Sequence, residues 1–226
     1  MVPFGDRRLR LLDHSLASQI TAIYTYPMAF LFQRVVDAAF AVLFVGRRRA
    51  AYEPLLDILD PSPGERVLDA GSGGGWLGRR LATRVGPDGS VVGIDPSASA
   101  IAYANEKAGP TEEYIQGSIT EIPLPAESVD RVITSLVIHH VDPAEQPMAF
   151  SEMARTLRPG GTLLVVELQR PSSTWSRVAF GWQGCVRASL PDADLRSLAD
   201  SAGLVDIETG RHWRWLRWMR ATRPAT

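Results

Sequence analysis

Cysteine and lysine are nearly missing from this chain of 226 residues. A lone cysteine, Cys185, excludes an intrachain disulfide framework and a cysteine-built zinc site, and no metal is expected. A lone lysine, Lys107, stands among 24 basic residues; against 25 acidic ones the net charge is −1. That balance removes the general pull toward nucleic acid or membrane that a strongly basic chain has. An internal repeat, a low-complexity stretch and a long unbroken apolar run are wanting too. The nearest approach to a membrane span, residues 27–49, is interrupted by Gln33, Arg34 and Asp37 and falls short of the roughly 20 apolar residues a crossing needs. A buried or half-buried helix is the favoured reading. A lid or membrane-touching helix, with Arg47, Arg48 and Arg49 at the lipid interface, is the other. No signal-like apolar stretch follows "MVPFGDRRLRLLDHS", so a cytoplasmic protein is expected, as a monomer or a homodimer.

What is present is a change of texture at "PSPGE". Residues 1–59 read as two or three helices, a cap or lid over the rest of the chain; residues 60–226 read as one larger domain. In that domain short apolar runs alternate with helical stretches: "RVLDAG", "WLGRRLATRVG", "SVVGID", "PSASAIAYANEKAG", "TEEYIQG", "SVDRVITSL", "AEQPMAFSEMARTLRPGG" and "TLLVVEL". Such alternation predicts right-handed βαβ units and a mostly parallel sheet. The second helix is expected to open on Pro96. A last helix, "DADLRSLADSAG", takes Asp192 as its expected N-cap and Gly203 just past its end. "LVDIETG" and "WRWLRWMRAT" then form two strands with no helix between them, which pair antiparallel. The sheet is therefore expected to be parallel except for one reversed strand at the end.

"LDAGSGGGW" places four glycines between the first strand and its helix. In open α/β sheets the loops at the carboxyl ends of the strands hold the ligand, and glycine lets the backbone approach it. A dinucleotide site wants G-x-G-x-x-G; here the position three after Gly73 is Trp76. Asp69, two residues before Gly71, would repel a pyrophosphate but suits a ligand with a positive amine. Asp95, ending the second strand, is placed to accept from ribose hydroxyls. A nucleoside with a cationic amino-acid-like end and no phosphate satisfies all three, and a nucleotide-dependent oxidoreductase is disfavoured on the same grounds.

From Pro63 to Pro224 the chain resembles the class I S-adenosylmethionine (SAM)-dependent methyltransferases, in particular the branch containing the ubiquinone/menaquinone-biosynthesis enzymes. "VLDAGSGGG" is similar to their first motif, "VVGIDPS" to their second, and "IQGSITEIPLPAESVDRVITSLVIHHVDP" to their adenine segment and fourth strand. "EMARTLRPGGTLLVVE" and "AGLVDIETGRHWRWLRWMRATRP" are similar to the fifth strand and closing hairpin. The resemblance implies a Rossmann-like seven-stranded sheet with a reversed last strand, SAM as cofactor, and SAM contacts at Asp69, Gly71, Ser72, Gly73, Asp95, Pro96, Ser118, Ile119 and Ser135. One departure stands out: the family usually has Gly-Asp where this chain has Gly117-Ser118, so a shorter, uncharged oxygen must accept from the adenine amine. An ordinary turn residue is the competing reading of Ser118.

Chemistry points to "VIHHVDP". His139 and His140 follow the fourth strand at the same sheet edge as the loop, and a neutral imidazole can take a proton from a hydroxyl. Glu167, ending the fifth strand, is a candidate to orient one of them. A strand-capping histidine, with catalysis by positioning alone, is the alternative. The acceptor pocket is expected from the first 50 residues and residues 170–190, whose Phe30, Phe32, Phe40, Phe44, Trp175, Phe180 and Trp182 suit a small apolar or aromatic acceptor. Tyr24 and Tyr26 are candidates to close over the SAM carboxylate. O-methylation is favoured over N- or C-methylation; a cyclase that keeps SAM without transferring its methyl is the other reading. The Arg and Trp run "RHWRWLRWMRATR" spreads arginine over both faces of a strand, so an edge hairpin is favoured over a nucleic-acid surface.

Overall fold

The computed structural model describes residues 47–169, 189–213 and 216–225. Seven strands form one sheet: β1 (Arg66–Ala70), β2 (Ser90–Asp95), β3 (Glu112–Gln116), β4 (Val129–Ser135), β5 (Leu157–Leu168), β6 (Val205–His212) and β7 (Leu216–Thr222). Their spatial order is β3-β2-β1-β4-β5-β7-β6. β1, β2, β3, β4 and β5 pair in parallel, while β7 runs antiparallel to both β5 and β6. The expected single reversed strand is thus β7, and it lies inside the sheet. The strand order turns back between β1 and β4, which makes the carboxyl ends of these two strands the place for a ligand.

Alternation along the strands divides the core. Leu68, Val92, Val132 and Leu163 pack on one face with Phe150 and Met153 of α4 (Gln146–Thr156) and Leu195 and Ala199 of α5 (Asp192–Ser201). Their neighbours Val67, Val91, Ile133 and Leu164 face the other way. There they meet Leu55, Leu56 and Leu59 of α1 (Arg48–Leu59) and Leu77, Leu81 and Val85 of α2 (Trp76–Val85). α1 therefore shares a core with the sheet. Glu53 of α1 also receives Arg80 and Arg84 of α2, each at 2.9 Å, and Asp57 receives Arg84 at 2.7 Å.

Two helix starts differ from expectation. α3 (Ala98–Glu106) begins after Ser97, whose hydroxyl accepts from the Ala100 N–H at 3.3 Å; Pro96 stays outside the helix. α5 takes Pro191 as its N-cap, and Asp192, one position inside, instead accepts from Arg217 Nη1 at 2.9 Å. The buried guanidinium of β7 outcompetes the helix end for that carboxylate. Gly203, with φ +76°, follows the helix as expected. Arg217 is buried and Arg223 reaches the carbonyls of Ala154, Arg155 and Leu157, so these two arginines of the run are spent on internal contacts.

Candidate functional site

Three glycines of the loop after β1 take left-handed backbone conformations in different surroundings. Gly71 has φ +85°, and a Cβ there would lie 2.3 Å from Cγ2 of Val137. Gly75 has φ +72° and its Cβ would meet the Tyr114 ring at 2.7 Å. Gly73, at φ +51°, faces open space. The loop is thus pressed against Val137 and Tyr114 at its ends and left clear in the middle, where a ligand can approach the backbone.

A cavity of about 430 Å³ opens there. Asp69 lines it from the end of β1, Gly71, Ser72 and Gly73 from the loop, Asp95 and Pro96 from the end of β2, and Ser118 and Ile119 from the segment after β3. Ser135 and His140 line it from β4 and the turn beyond it. All nine residues expected to contact the cofactor therefore share one cavity. His139 and Glu167 do not line it.

Asp69 is 1% exposed and its Oδ2 has no hydrogen-bond partner. Burial first, then the charge of Asp95, pushes its carboxyl up to about 7. Asp95 is tied into the loop: Oδ2 accepts from the Gly73 N–H and Oδ1 from the Ser97 N–H, both at 2.9 Å. A carboxylate oxygen has two acceptor sites, so each retains capacity for a hydroxyl. The Ser118 hydroxyl meets Thr120 Oγ1 at 2.7 Å and accepts from the Thr120 N–H at 3.2 Å, a local turn at the cavity wall.

After β4, Leu136 adopts φ +60°, a conformation that bulky residues rarely hold, and the chain enters a short 3₁₀ turn, Ile138–His140. The turn sends its two histidines different ways. His139 is buried, with Nδ1 2.7 Å from Oε2 of Glu167, itself 0% exposed. A carboxylate on Nδ1 keeps the ring proton there and leaves Nε2 as the basic nitrogen. His140 lies at the cavity with one side open to solvent, its ring centroid 4.1 Å from that of His139. Protein packed around it and, secondarily, the neighbouring His139 hold its pKa below the usual imidazole value. The imidazole at the cavity is thus neutral at neutral pH.

A methyltransferase-domain family model matches residues 67–161. An uncharacterised methyltransferase of Synechocystis is 32% identical over 195 residues, spanning 81% of this chain and 85% of that protein. The arsenite methyltransferase of Halobacterium salinarum is 32% identical over 154 residues, 65% of this chain and 39% of that one. The crystal structure of a SAM-dependent methyltransferase from Aquifex aeolicus aligns with a TM-score of 0.63 at 22% identity, covering 75% of this chain and 88% of that one. The chain belongs to the SAM-dependent methyltransferases.

The residues of this methyltransferase fit its cofactor. The orphaned Asp69 Oδ2 offers a buried acceptor to a cation, the clear space over Gly73 admits a ligand to the backbone, and Asp95 stands at the end of β2 with acceptor capacity left. Sequence reasoning missed part of the cavity wall: Arg48 and Tyr52 of α1, Trp76, Leu136, Val137 and Val141. Tyr52 Oη lies 2.9 Å from Ser135 Oγ, and Trp76 meets the Tyr52 ring edge-on at 5.4 Å. In the sequence Tyr52 is one more apolar position of a helix, with no local sign that it reaches β4. Tyr24, Tyr26 and the aromatics of residues 30–44 and 175–182 lie outside the described residues.

Proposed function

We propose that this methyltransferase acts on a hydroxyl of a small, largely apolar or aromatic acceptor, with His140 as the general base. The observation that carries the reading is that His140 is the histidine lining the cavity, with its pKa held below the usual imidazole value by the protein packed around it. When bound, SAM supplies a methyl group already activated on a positively charged sulfur. Asp69, Gly73 and Asp95 hold and orient it, Ser118 and Ile119 border its adenine, and a ring nitrogen of His140 takes the acceptor's hydroxyl proton. His139, fixed by Glu167, positions the His140 ring through their contact. Tyr52, Trp76, Leu136 and Val141 supply apolar wall suited to such an acceptor. Residues 1–59 complete the pocket as a cap, a role supported by Arg48 and Tyr52 already lining it.

An arsenite acceptor, the substrate in one relative's name, is the weaker reading. Arsenic(III) calls for soft thiolate partners, and this sequence carries one cysteine.

The test is a set of variants followed for SAM affinity and turnover across pH. His140→Ala is expected to lose roughly 10²- to 10⁴-fold in kcat with SAM affinity nearly intact. Wild-type turnover should rise with pH through a midpoint below the usual histidine value and then stay flat. His139 depresses the His140 pKa and Glu167 raises it, so His139→Gln should move that midpoint up and Glu167→Gln should move it down. Wild-type turnover in a folded His139→Ala/His140→Ala double variant would end the general-base reading and leave catalysis to proximity.

A further inference from the structure

We propose that Tyr114 is a positioning residue for the cofactor: its ring seats the first turn of α2, and that turn holds Asp69 in place for the ligand. The inference rests on the role given to Asp69 above and adds a residue that is not among the described ones lining the cavity.

Tyr114 is 4% exposed and stands in β3, at the edge of the sheet. An edge strand leaves backbone groups without a neighbouring strand. Here the Asn105 side chain of α3 takes that place, donating to the Tyr114 carbonyl at 2.8 Å and accepting from its N–H at 3.2 Å. The phenol hydroxyl donates to Glu112 Oε2 at 2.7 Å, with the Gly75 carbonyl 3.2 Å away. Fixed at both ends, the side chain fills a slot walled by three glycines. A Cβ would lie 2.3 Å from the ring at Gly93, 2.7 Å from it at Gly75 and 2.4 Å from the hydroxyl oxygen at Gly78. Gly75 is the N-cap of α2 and Gly78 lies in its first turn, so the start of this helix rests on one side chain.

The first N–H groups of a helix have no partner within it, and Gly75 has no side chain to cap them. The Gly78 N–H instead bonds the Asp69 carboxyl and favours its ionised form against burial and the charge of Asp95. Oδ2 of Asp69 remains for the ligand. A side chain at position 78 would push the turn off the Tyr114 hydroxyl and draw that donor away.

Gly78→Ala is the probe, because alanine suits a helix better than glycine and the nearest atoms its Cβ would meet all belong to Tyr114. SAM titrations across pH and thermal melts would compare the wild type, Gly78→Ala, Tyr114→Phe and the double variant. Gly78→Ala should weaken SAM by about fivefold or more. The pH above which SAM affinity levels off should also rise from about 7, since Asp69 loses a donor. The other charged and titratable groups around Asp69 are Asp95, Arg48 and Arg79, with the hydroxyls of Tyr52 and Tyr114, and Gly78→Ala replaces none of them. In the Tyr114→Phe background only ring carbons remain, 3.2 Å from the new Cβ. There the same substitution should cost about twofold or less and leave the pH profile in place. An equal cost in both backgrounds overturns the proposal. So does a Gly78→Ala that melts earlier while SAM affinity and its pH profile stay put, the mark of a core residue alone. If Gly78→Ala does not fold, Tyr114→Leu decides: emptying the slot should weaken SAM and raise the same pH, and wild-type values of both in the folded variant overturn the proposal. A wild type whose SAM affinity is flat below about pH 7 would fault the role of Asp69 itself, a separate failure.

Discussion

The loop after β1 and the turn after β4 face one cavity at the point where the strand order turns back, and they are built in opposite ways. The loop works with backbone: glycines at φ +85°, +51° and +72° bring the main chain to the cavity, with Asp69 and Asp95 beside them. The turn works with side chains: an exposed histidine leans on a buried one, which leans on a buried glutamate. The first arrangement suits holding a ligand in place, the second moving a proton. Yet the two meet physically, because Val137, the residue leading into the histidine turn, packs over Gly71.

That contact gives the largest expected effect. Gly71→Val puts a branched side chain into a left-handed backbone position and into Val137, at a cost of about 1–2 kcal/mol for the backbone and about 1–3 kcal/mol for overpacking. Because Val137 must move, SAM binding and turnover should be lost together. Gly73→Ala, whose Cβ meets nothing, should keep the fold and weaken SAM binding alone. Thermal melts and SAM titrations of the two variants check this; normal SAM binding by Gly71→Val would separate the two regions after all.

The same contrast explains which features are legible from sequence. Asp69, the glycines and Asp95 carry their meaning in local spacing, at the ends of strands whose apolar runs announce themselves. They also declare the parallel sheet, since βαβ alternation admits few topologies. Glu167 is legible as a partner for one of the histidines, but it lies 28 residues from His139 and the two histidines look alike in "VIHHVDP", so the sequence leaves open which one it takes. Only the 3₁₀ turn decides which is buried and which reaches the cavity. Arg48 and Tyr52 are invisible for the same reason: their placement depends on α1 docking across the sheet through Leu55, Leu56 and Leu59. Asp192 misleads because a helix-capping preference is worth about 1 kcal/mol and a buried arginine claims a carboxylate more strongly.

A smaller effect separates the two regions by pH. In the ligand-free protein Asp69 keeps its proton up to about pH 7. An ammonium beside it favours the ionised form, so below pH 7 binding must expel that proton. SAM affinity should then fall as pH drops from 7 toward 5, by up to about tenfold per unit, and level off above 7. The slope should vanish in Asp69→Asn, at lower affinity. Turnover at saturating SAM should instead follow His140, with its midpoint below the usual histidine value. Titrations in buffers of different ionisation heat count the protons released; a wild type that releases none between pH 5 and 7 would remove Asp69 from the ammonium site.

The smallest expected effect lies on the adenine wall, where Ser118 stands in place of the more usual aspartate. Its hydroxyl is exposed and already shared with Thr120, so it has little left to give a ligand. Ser118→Ala should therefore weaken SAM by about threefold or less, the scale of one neutral, solvent-screened hydrogen bond. Ser118→Asp restores a charged acceptor on the same turn and should tighten SAM, by less than about tenfold because the site is wet. Neither change should move kcat or the pH midpoint assigned to His140 if, as proposed, this wall borders the cofactor's base and not the acceptor. Comparing the two variants by titration with SAM and with adenosine tests the placement directly: a gain in Ser118→Asp that appears with both ligands belongs to the nucleoside. A gain with SAM alone would mean that position 118 acts on the amino-acid end, and the adenine would have to be sought along Ile119 without it.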